Sequence, residues 1–428
     1  MRLLHTSDWH LGASLYGFSR LEEQSFFLKW LYQTIKDNSV DTLLVSGDVF
    51  DSASPSNAAK TLYSNFLASV TDTSCRNIVI TGGNHDSPSW LDSDAKVFRK
   101  LGFYVLGQAT DNPDDELIVL NDKSGKACAV ICAVPYLRER DLHSFEFGQG
   151  IEEHEKQIAE GIRRHYSDIA KRAEMVSKQY SPALPVIAMG HLFVRGSIRD
   201  DGESRLIVGT LGEIDSSIFP KNFDYVALGH IHTPQKIGGS EFIRYCGSPL
   251  KMSFSEKNNS KQVLLLEIEA KADHNSSNCV VRSIEVPQSR ELISIRGIED
   301  ELRAEVLRIA TEHPGSYLEA VYVGQHMRHD LREILLETLR EKYEDSVPVN
   351  LVRIRHEPLD LSQHSTAAAS SAELNEYSTT DMFSMILEKE RDFSSEDKDM
   401  LGALYEQILY EMESSSENND VNKVQGGE

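Results

Sequence analysis

The chain has 428 residues, 44 basic against 67 acidic side chains, a formal net charge of −23 and a hydrophobic fraction of 40%. That length predicts two to three domains, and no apolar run approaches the ~20 residues of a membrane helix. A charge this acidic excludes binding to nucleic acid by bulk attraction alone.

From the N-terminus, Arg2–Thr6 is an apolar β-type run followed by Asp8-Trp9-His10, and a basic region or apolar signal core is not expected there. The pattern repeats at Thr42–Ser46, followed by Gly47-Asp48-Val49-Phe50-Asp51, and at Asn77–Thr81, followed by Gly83-Asn84-His85-Asp86. Cys128 and Cys132 lie in a strand-like run over 127–132, where buried packing is preferred to a metal pair. All five cysteines (75, 128, 132, 246 and 279) fall in no regular framework and read as reduced thiols of a cytoplasmic protein. Runs at 185–189 and 225–228 then lead into Gly190-His191 and Gly229-His230-Ile231-His232. Glycines 47, 83, 190 and 229 are expected to turn the backbone sharply at these strand ends.

Ligands of open α/β sheets gather beyond the carboxyl ends of strands, so five such ends can converge on one pocket. Each motif alone reads equally well as a loop or a buried histidine; five in register after strands point to a metal centre. Imidazole, carboxylate and amide oxygen without thiolate suit first-row divalent metals such as manganese, iron or zinc. Two such ions can clamp a phosphate and acidify a water. Asp48, in the middle of the set, is the candidate bridge, and Asn84 supplies an oxygen without charge. His5, inside the first strand, reads as buried. His143, His154, His165, His274, His313, His326, His329, His356 and His364 read as surface residues.

In this order the five motifs resemble the calcineurin-like metallophosphoesterase superfamily. The longer text is similar to its SbcD-type nuclease-subunit branch, on His5-Thr6-Ser7-Asp8-Trp9-His10-Leu11-Gly12, Gly83-Asn84-His85-Asp86-Ser87-Pro88, Tyr245-Cys246-Gly247-Ser248-Pro249-Leu250 and Ser253-Phe254-Ser255-Glu256. The resemblance implies a four-layer α/β sandwich, two central sheets flanked by helices. It implies one metal on Asp8, His10, Asp48 and His232 and another on Asp48, Asn84, His191 and His230. His85 would stabilise the phosphate or protonate the leaving oxygen, with Asp86 and Asp51 orienting histidines. It further implies two divalent ions, manganese above all, and a DNA phosphodiesterase acting on double-strand ends and on single-stranded or hairpin DNA in end processing, repair and recombination. Its partner would be an SbcC-like coiled-coil ATPase, within a heterotetramer containing a homodimer of this chain, in the cytoplasm at the nucleoid.

After the metallophosphoesterase domain, expected over 1–286 and closed by strands at 262–269 and 279–286, the pattern changes. Strands at 292–295, 317–323 and 349–354 alternate with helices at 299–311 and 328–343, a small α/β capping domain over 287–358 rather than an extension of the main sheet. A Ser/Ala/Thr-rich linker over 359–377 leads to two amphipathic helices within 378–413, the second marked by Met400, Leu404, Tyr405, Ile408 and Met412. Helices with so little core of their own are expected to dock on the ATPase partner, and 414–428 reads as disordered.

Charge is unevenly placed. Residues 1–286 carry 30 basic and 37 acidic groups, whereas 361–428 carry 4 and 15. The tail holds much of the excess, and a partner is expected to supply part of the DNA grip. Arg138 is the arginine favoured to touch DNA, ahead of Arg140, Arg195, Arg199 and Arg205. The rival readings are a metallophosphoesterase for small or protein phosphoesters, and a scaffold that has lost its chemistry.

Overall fold

The computed structural model describes residues 1–142, 151–194, 214–269, 278–326, 328–344 and 346–358. The expected linker, partner-docking helices and tail, and Arg195, Arg199 and Arg205, lie outside the described residues. Met1–Pro358 form one compact unit.

Two six-stranded sheets make its centre. In the first, Arg2–Thr6, Thr42–Ser46, Asn77–Thr81 and Phe103–Leu106 run parallel. Gln262–Glu269 and Asn278–Glu285 close its other side antiparallel, near the expected positions. In the second, Ala127–Ala133, Val186–His191, Tyr225–Gly229 and Ile243–Tyr245 run parallel between antiparallel edge strands Leu117–Asn121 and Gln235–Lys236.

Side chains of a strand alternate between faces, and these strands are buried on both. Leu44 and Val79 enter the core between the sheets with Ile187 and Met189 from the facing sheet. Their neighbours Leu43, Val45, Ile78 and Ile80 point outward, under helices α1 (Leu21–Asp37) and α2 (Asn57–Val70). Phe27, Leu28, Leu31 and Ile35 form the buried stripe of α1, each worth roughly 1.5–3 kcal/mol of burial. On the other flank, Ile158, Ile162, Tyr166, Ile169 and Ala173 of the helix Ile151–Ser177 cover the second sheet. The result is helix, sheet, sheet, helix. Cys132 packs under that outer helix and Cys128 against the inter-sheet core, so the two are packing residues of different cores. No described helix is long and apolar enough to cross a membrane.

Residues 292–358 hold a separate three-stranded parallel sheet, Leu292–Gly297, Tyr317–Gly324 and Asn350–Pro358. Helices Glu299–Glu312 and Leu331–Tyr343 cover it over Leu302, Val306, Leu318, Leu335 and Leu351. The second helix begins later than its sequence pattern suggests, because Arg328 pairs with Asp330 in a tight turn ahead of it. Leu292, Tyr317 and Val352 seat this sheet on Leu15 and Phe254 of the main body.

Candidate metal centre

The parallel strands of both sheets deliver their carboxyl ends to one place. Asp8, His10, Asp48, Asp86, His191 and their supporting backbone are buried, while Asn84 and His85 keep part of their surface in solvent. Four of the expected donors, Asp8, His10, Asp48 and His230, have left-handed backbone, with φ of 53°, 44°, 49° and 99°. Such conformations cost of order 1–3 kcal/mol each in non-glycine residues and persist only where the surroundings impose them. Here the loops are cross-tied: Asp8 N–H donates to Gly47 O at 3.0 Å, His10 N–H to Asp48 O at 3.0 Å and Leu11 N–H to Val49 O at 2.9 Å. His230 N–H donates to Asp8 Oδ1 at 2.9 Å.

The glycines act differently from the expectation. Only Gly47 among the four has positive φ, at 82°. At Gly229 the reason is close approach, since a Cβ there would lie 1.9 Å from Ser46 O of the facing sheet. Two sheets meeting backbone to backbone bring the histidines of one to the carboxylates of the other.

Seven donors converge. His10 Nε2 lies 3.2 Å from His232 Nε2 and 3.7 Å from Asp48 Oδ2. On the other side, His191 Nε2 is 3.2 Å from Asp48 Oδ2 and 3.0 Å from Asn84 Oδ1, which is also 3.0 Å from His230 Nδ1. Asp8, His10 and His232 present ligand atoms within 4.8 Å of one another, as do Asp8, Asp48 and His191. Ring nitrogens that face each other and share one amide oxygen are poorly served by hydrogen bonds alone. A cation that draws lone pairs from all of them serves the whole set, so the donors fit divalent metal.

The electrostatics agree. Burial pulls His10 down, but the neighbouring carboxylate of Asp51 and the charges of Asp48 and Asp8 outweigh it and push the imidazole up to about 9. His191 likewise reaches about 9 against burial, chiefly through Asp48. Burial, then the charge of His191, lowers His230 to about 3, and burial holds His232 well below the usual histidine range. Asp48, though buried, is held well below the carboxylate range by His191 and His10. Burial raises Asp8. Positive charge is therefore drawn to both sides of Asp48.

His85 sits at the rim. Its N–H donates to Asp48 Oδ1 at 2.9 Å, its Nδ1 is 2.9 Å from Asp51 O, and its ring lies 5.0 Å from that of His10. Asp51 also places Oδ1 3.4 Å from His10 Nδ1. Asp86 differs from its expected place beside an imidazole: its carboxylate accepts backbone N–H groups of Gly83 at 2.9 Å, Val49 at 3.1 Å and Phe50 at 2.9 Å. It shapes two ligand loops rather than a ring. Arg138 reaches the same loop, donating from Nη2 to Asp86 O at 3.2 Å, and packs over the Tyr136 ring. His5 is fully buried, as expected. Of the expected surface histidines, His165 is mostly covered, because it is 2.7 Å from the buried Glu116 carboxylate.

Two residues escaped the sequence reading. Gln24 Nε2 donates to His10 O at 2.7 Å, and Lys261 Nζ donates to His232 O at 2.9 Å. Gln24 interrupts the buried stripe of α1 with a polar side chain, which was the available signal. Lys261 carried none.

The chain matches the calcineurin-like phosphoesterase family over residues 1–234 and the type 5 capsule protein repressor C-terminal domain over 288–391. It is 34% identical over 361 residues to the SbcD component of nuclease SbcCD from Escherichia coli K12, covering 83% of this chain and 85% of that one. The same component from Rhodobacter capsulatus is 37% identical over 63% of this chain and 66% of its own length. That from Bacillus subtilis is 33% identical over 62% and 66%. The two matched segments follow the change of sheet seen in the structure, and the chain belongs to the calcineurin-like phosphoesterases and, within them, to the SbcD nuclease subunits.

Proposed function

We propose that the protein is the nuclease half of an SbcCD-like complex, a two-metal phosphodiesterase that digests duplex DNA from its ends and cuts single-stranded and hairpin DNA internally. The observation that carries this reading is the convergence of His10 and His232 on one side of Asp48, and of Asn84, His191 and His230 on the other. Asp8, His10, Asp48 and His232 would hold one ion and Asp48, Asn84, His191 and His230 the other. Two divalent ions, manganese foremost, supply Lewis acidity and an acidified water when bound.

The remaining work falls to the chain. Asp51 O accepts the Nδ1 proton of His85 and fixes the ring, so that a second proton, carried on Nε2 in the imidazolium form, would steady the phosphate and pass to the leaving oxygen. Asp86 keeps the Asp48 and Asn84 loops in register through three backbone N–H groups. Arg138, held on Asp86 O, would meet a neighbouring DNA phosphate. Residues 287–358 would cap the site, and the amphipathic pattern of 378–413 would dock on an SbcC-like coiled-coil ATPase at the nucleoid. That partner supplies DNA affinity which a chain of net charge −23 lacks.

The test is the purified chain with Mn2+, against end-labelled duplex, circular single-stranded DNA and a phosphomonoester, with His85→Ala as the contaminant control. DNA cleavage that vanishes in the variant supports the nuclease. Phosphomonoester turnover without DNA cleavage moves the protein to the small-substrate class. Silence on all three, persisting after the ATPase partner is added, leaves a scaffold.

A further inference from the structure

Gln24 and Lys261 do the same thing on opposite sides of one half-site. Gln24 is 1% exposed; its amide nitrogen holds His10 O and its amide oxygen accepts Gly12 N–H at 2.9 Å. Lys261, also 1% exposed, holds His232 O and Ser248 Oγ, the latter at 3.0 Å, and is neutralised by the buried Glu256. A buried lysine is costly unless paired and fully hydrogen-bonded. This one spends its donors on a carboxylate, a hydroxyl and the carbonyl of a ligand histidine.

Both residues belong to segments on which the three-stranded sheet is seated. Next to Gln24, the buried Glu23 takes a bidentate grip from Arg20 at 2.9 and 2.7 Å and accepts the Tyr317 hydroxyl at 3.0 Å. Arg20 also donates to Lys251 O, joining the two segments. Glu256 closes the turn Phe254–Glu256, whose Phe254 packs with Leu292, Tyr317 and Val352. Arg353 of the same sheet donates to Tyr16 Oη at 2.8 Å, and Tyr16 in turn packs on Phe254. The seat therefore touches the neighbours of Gln24 and Lys261. The supports described for the other half-site differ: His191 Nδ1 rests on Ser46 O at 2.9 Å, and Asn84 sits in the loop that Asp86 clamps.

We infer that Gln24 and Lys261 are positioning residues for one ion of the pair, that of Asp8, His10, Asp48 and His232. Through them its affinity depends on how the sheet of residues 292–358 is seated. This rests on the two-metal reading above. Groups that orient metal ligands from behind typically contribute 10–100-fold in affinity, and coupling between sites commonly amounts to 5–150-fold.

The experiment is Mn2+ titration of the full chain by calorimetry, with electron paramagnetic resonance to count ions and detect the exchange-coupled pair. Tyr317→Phe removes only the hydroxyl on Glu23 and keeps the ring in its core, so it tests the seat without unfolding it. The double variant Lys261→Met/Glu256→Gln removes the support without stranding a buried charge. Arg296→Gln, on the same sheet but in an exposed pair with Glu357, is the control. The expected result is two Mn2+ in the wild type, with one binding event weakened about fivefold in Tyr317→Phe and about tenfold in the double variant. The second event and the control stay unchanged. Equal weakening of both events, or no change in either variant, overturns the inference. A wild type that binds no Mn2+ pair would instead overturn the two-metal reading beneath it.

Discussion

His10 and His232 face each other nitrogen to nitrogen, Nε2 to Nε2 at 3.2 Å, with ring planes at 84°. One proton can lie between them, and His10, pushed up to about 9, keeps it, while His232 stays neutral. His191, also up to about 9, holds a second proton beside Asp48. A metal needs both lone pairs, so binding must expel these protons.

Mn2+ affinity is therefore expected to rise with pH from about neutral until it levels near 9, by up to about tenfold per unit for each proton displaced. Calorimetry at pH 7 in buffers of different ionisation enthalpy should count close to two protons released. A buffer-independent heat would contradict the assignment.

His85→Ala should leave both Mn2+ binding events in place, since the ring touches the centre only through its neighbours, and lower DNA cleavage by about 10²–10⁴-fold, the usual contribution of a general acid. Loss of both metals in this variant would show that His85 builds the centre instead of working at its rim.

Asp86→Ala strands three buried N–H groups, those of Gly83, Val49 and Phe50. At roughly 1–3 kcal/mol for each unsatisfied donor, the expected loss is about 3 kcal/mol or more in urea unfolding, together with weaker Mn2+ binding. Asp86→Asn keeps an acceptor oxygen and should lose less. Equal stability of the two variants would argue against the clamp.

His5 gives the fold an acid limit. Burial lowers its pKa to about 3 from an unfolded value of 6.5. Below 6.5 the unfolded chain takes up a proton that the folded chain refuses until about 3, so stability falls as pH drops through that window. One such group contributes a slope of up to about 1.4 kcal/mol per pH unit. The difference in unfolding free energy between wild type and His5→Gln should therefore change between pH 7 and pH 4; a constant difference would refute the linkage.

The proposed ligands were legible because each follows a strand closely, and a strand end is a local pattern. Asp8, Asp48, Asn84, His191 and His230 needed only the continuous apolar runs around Leu3, Leu4, Leu43, Leu44 and their like to be placed. The three-stranded sheet was legible for the same reason. What escaped depends on contacts between distant residues. Nothing near Lys261 announces that it reaches His232 O, and nothing near Glu23 announces Tyr317, 294 residues away. Asp86 was seen, but its work lies with backbone groups that no side-chain pattern records. Gly83 and Gly229 looked like turns, whereas crowding requires them: a Cβ on Gly83 would lie 2.1 Å from Asp48 Oδ1.

The left-handed backbone at Asp8, His10, Asp48 and His230 sets the protein's robustness against its occupation. A glycine at any of these four positions relieves a torsion that the native side chain endures, and it deletes a donor in the same stroke. At Asp8 and Asp48 the same change strands the N–H groups of His230 and His85 that those carboxylates accept, so the torsion recovered is offset by hydrogen bonds lost. Backbone strain and donor geometry are carried by the same side chains, and neither can be relaxed without the other.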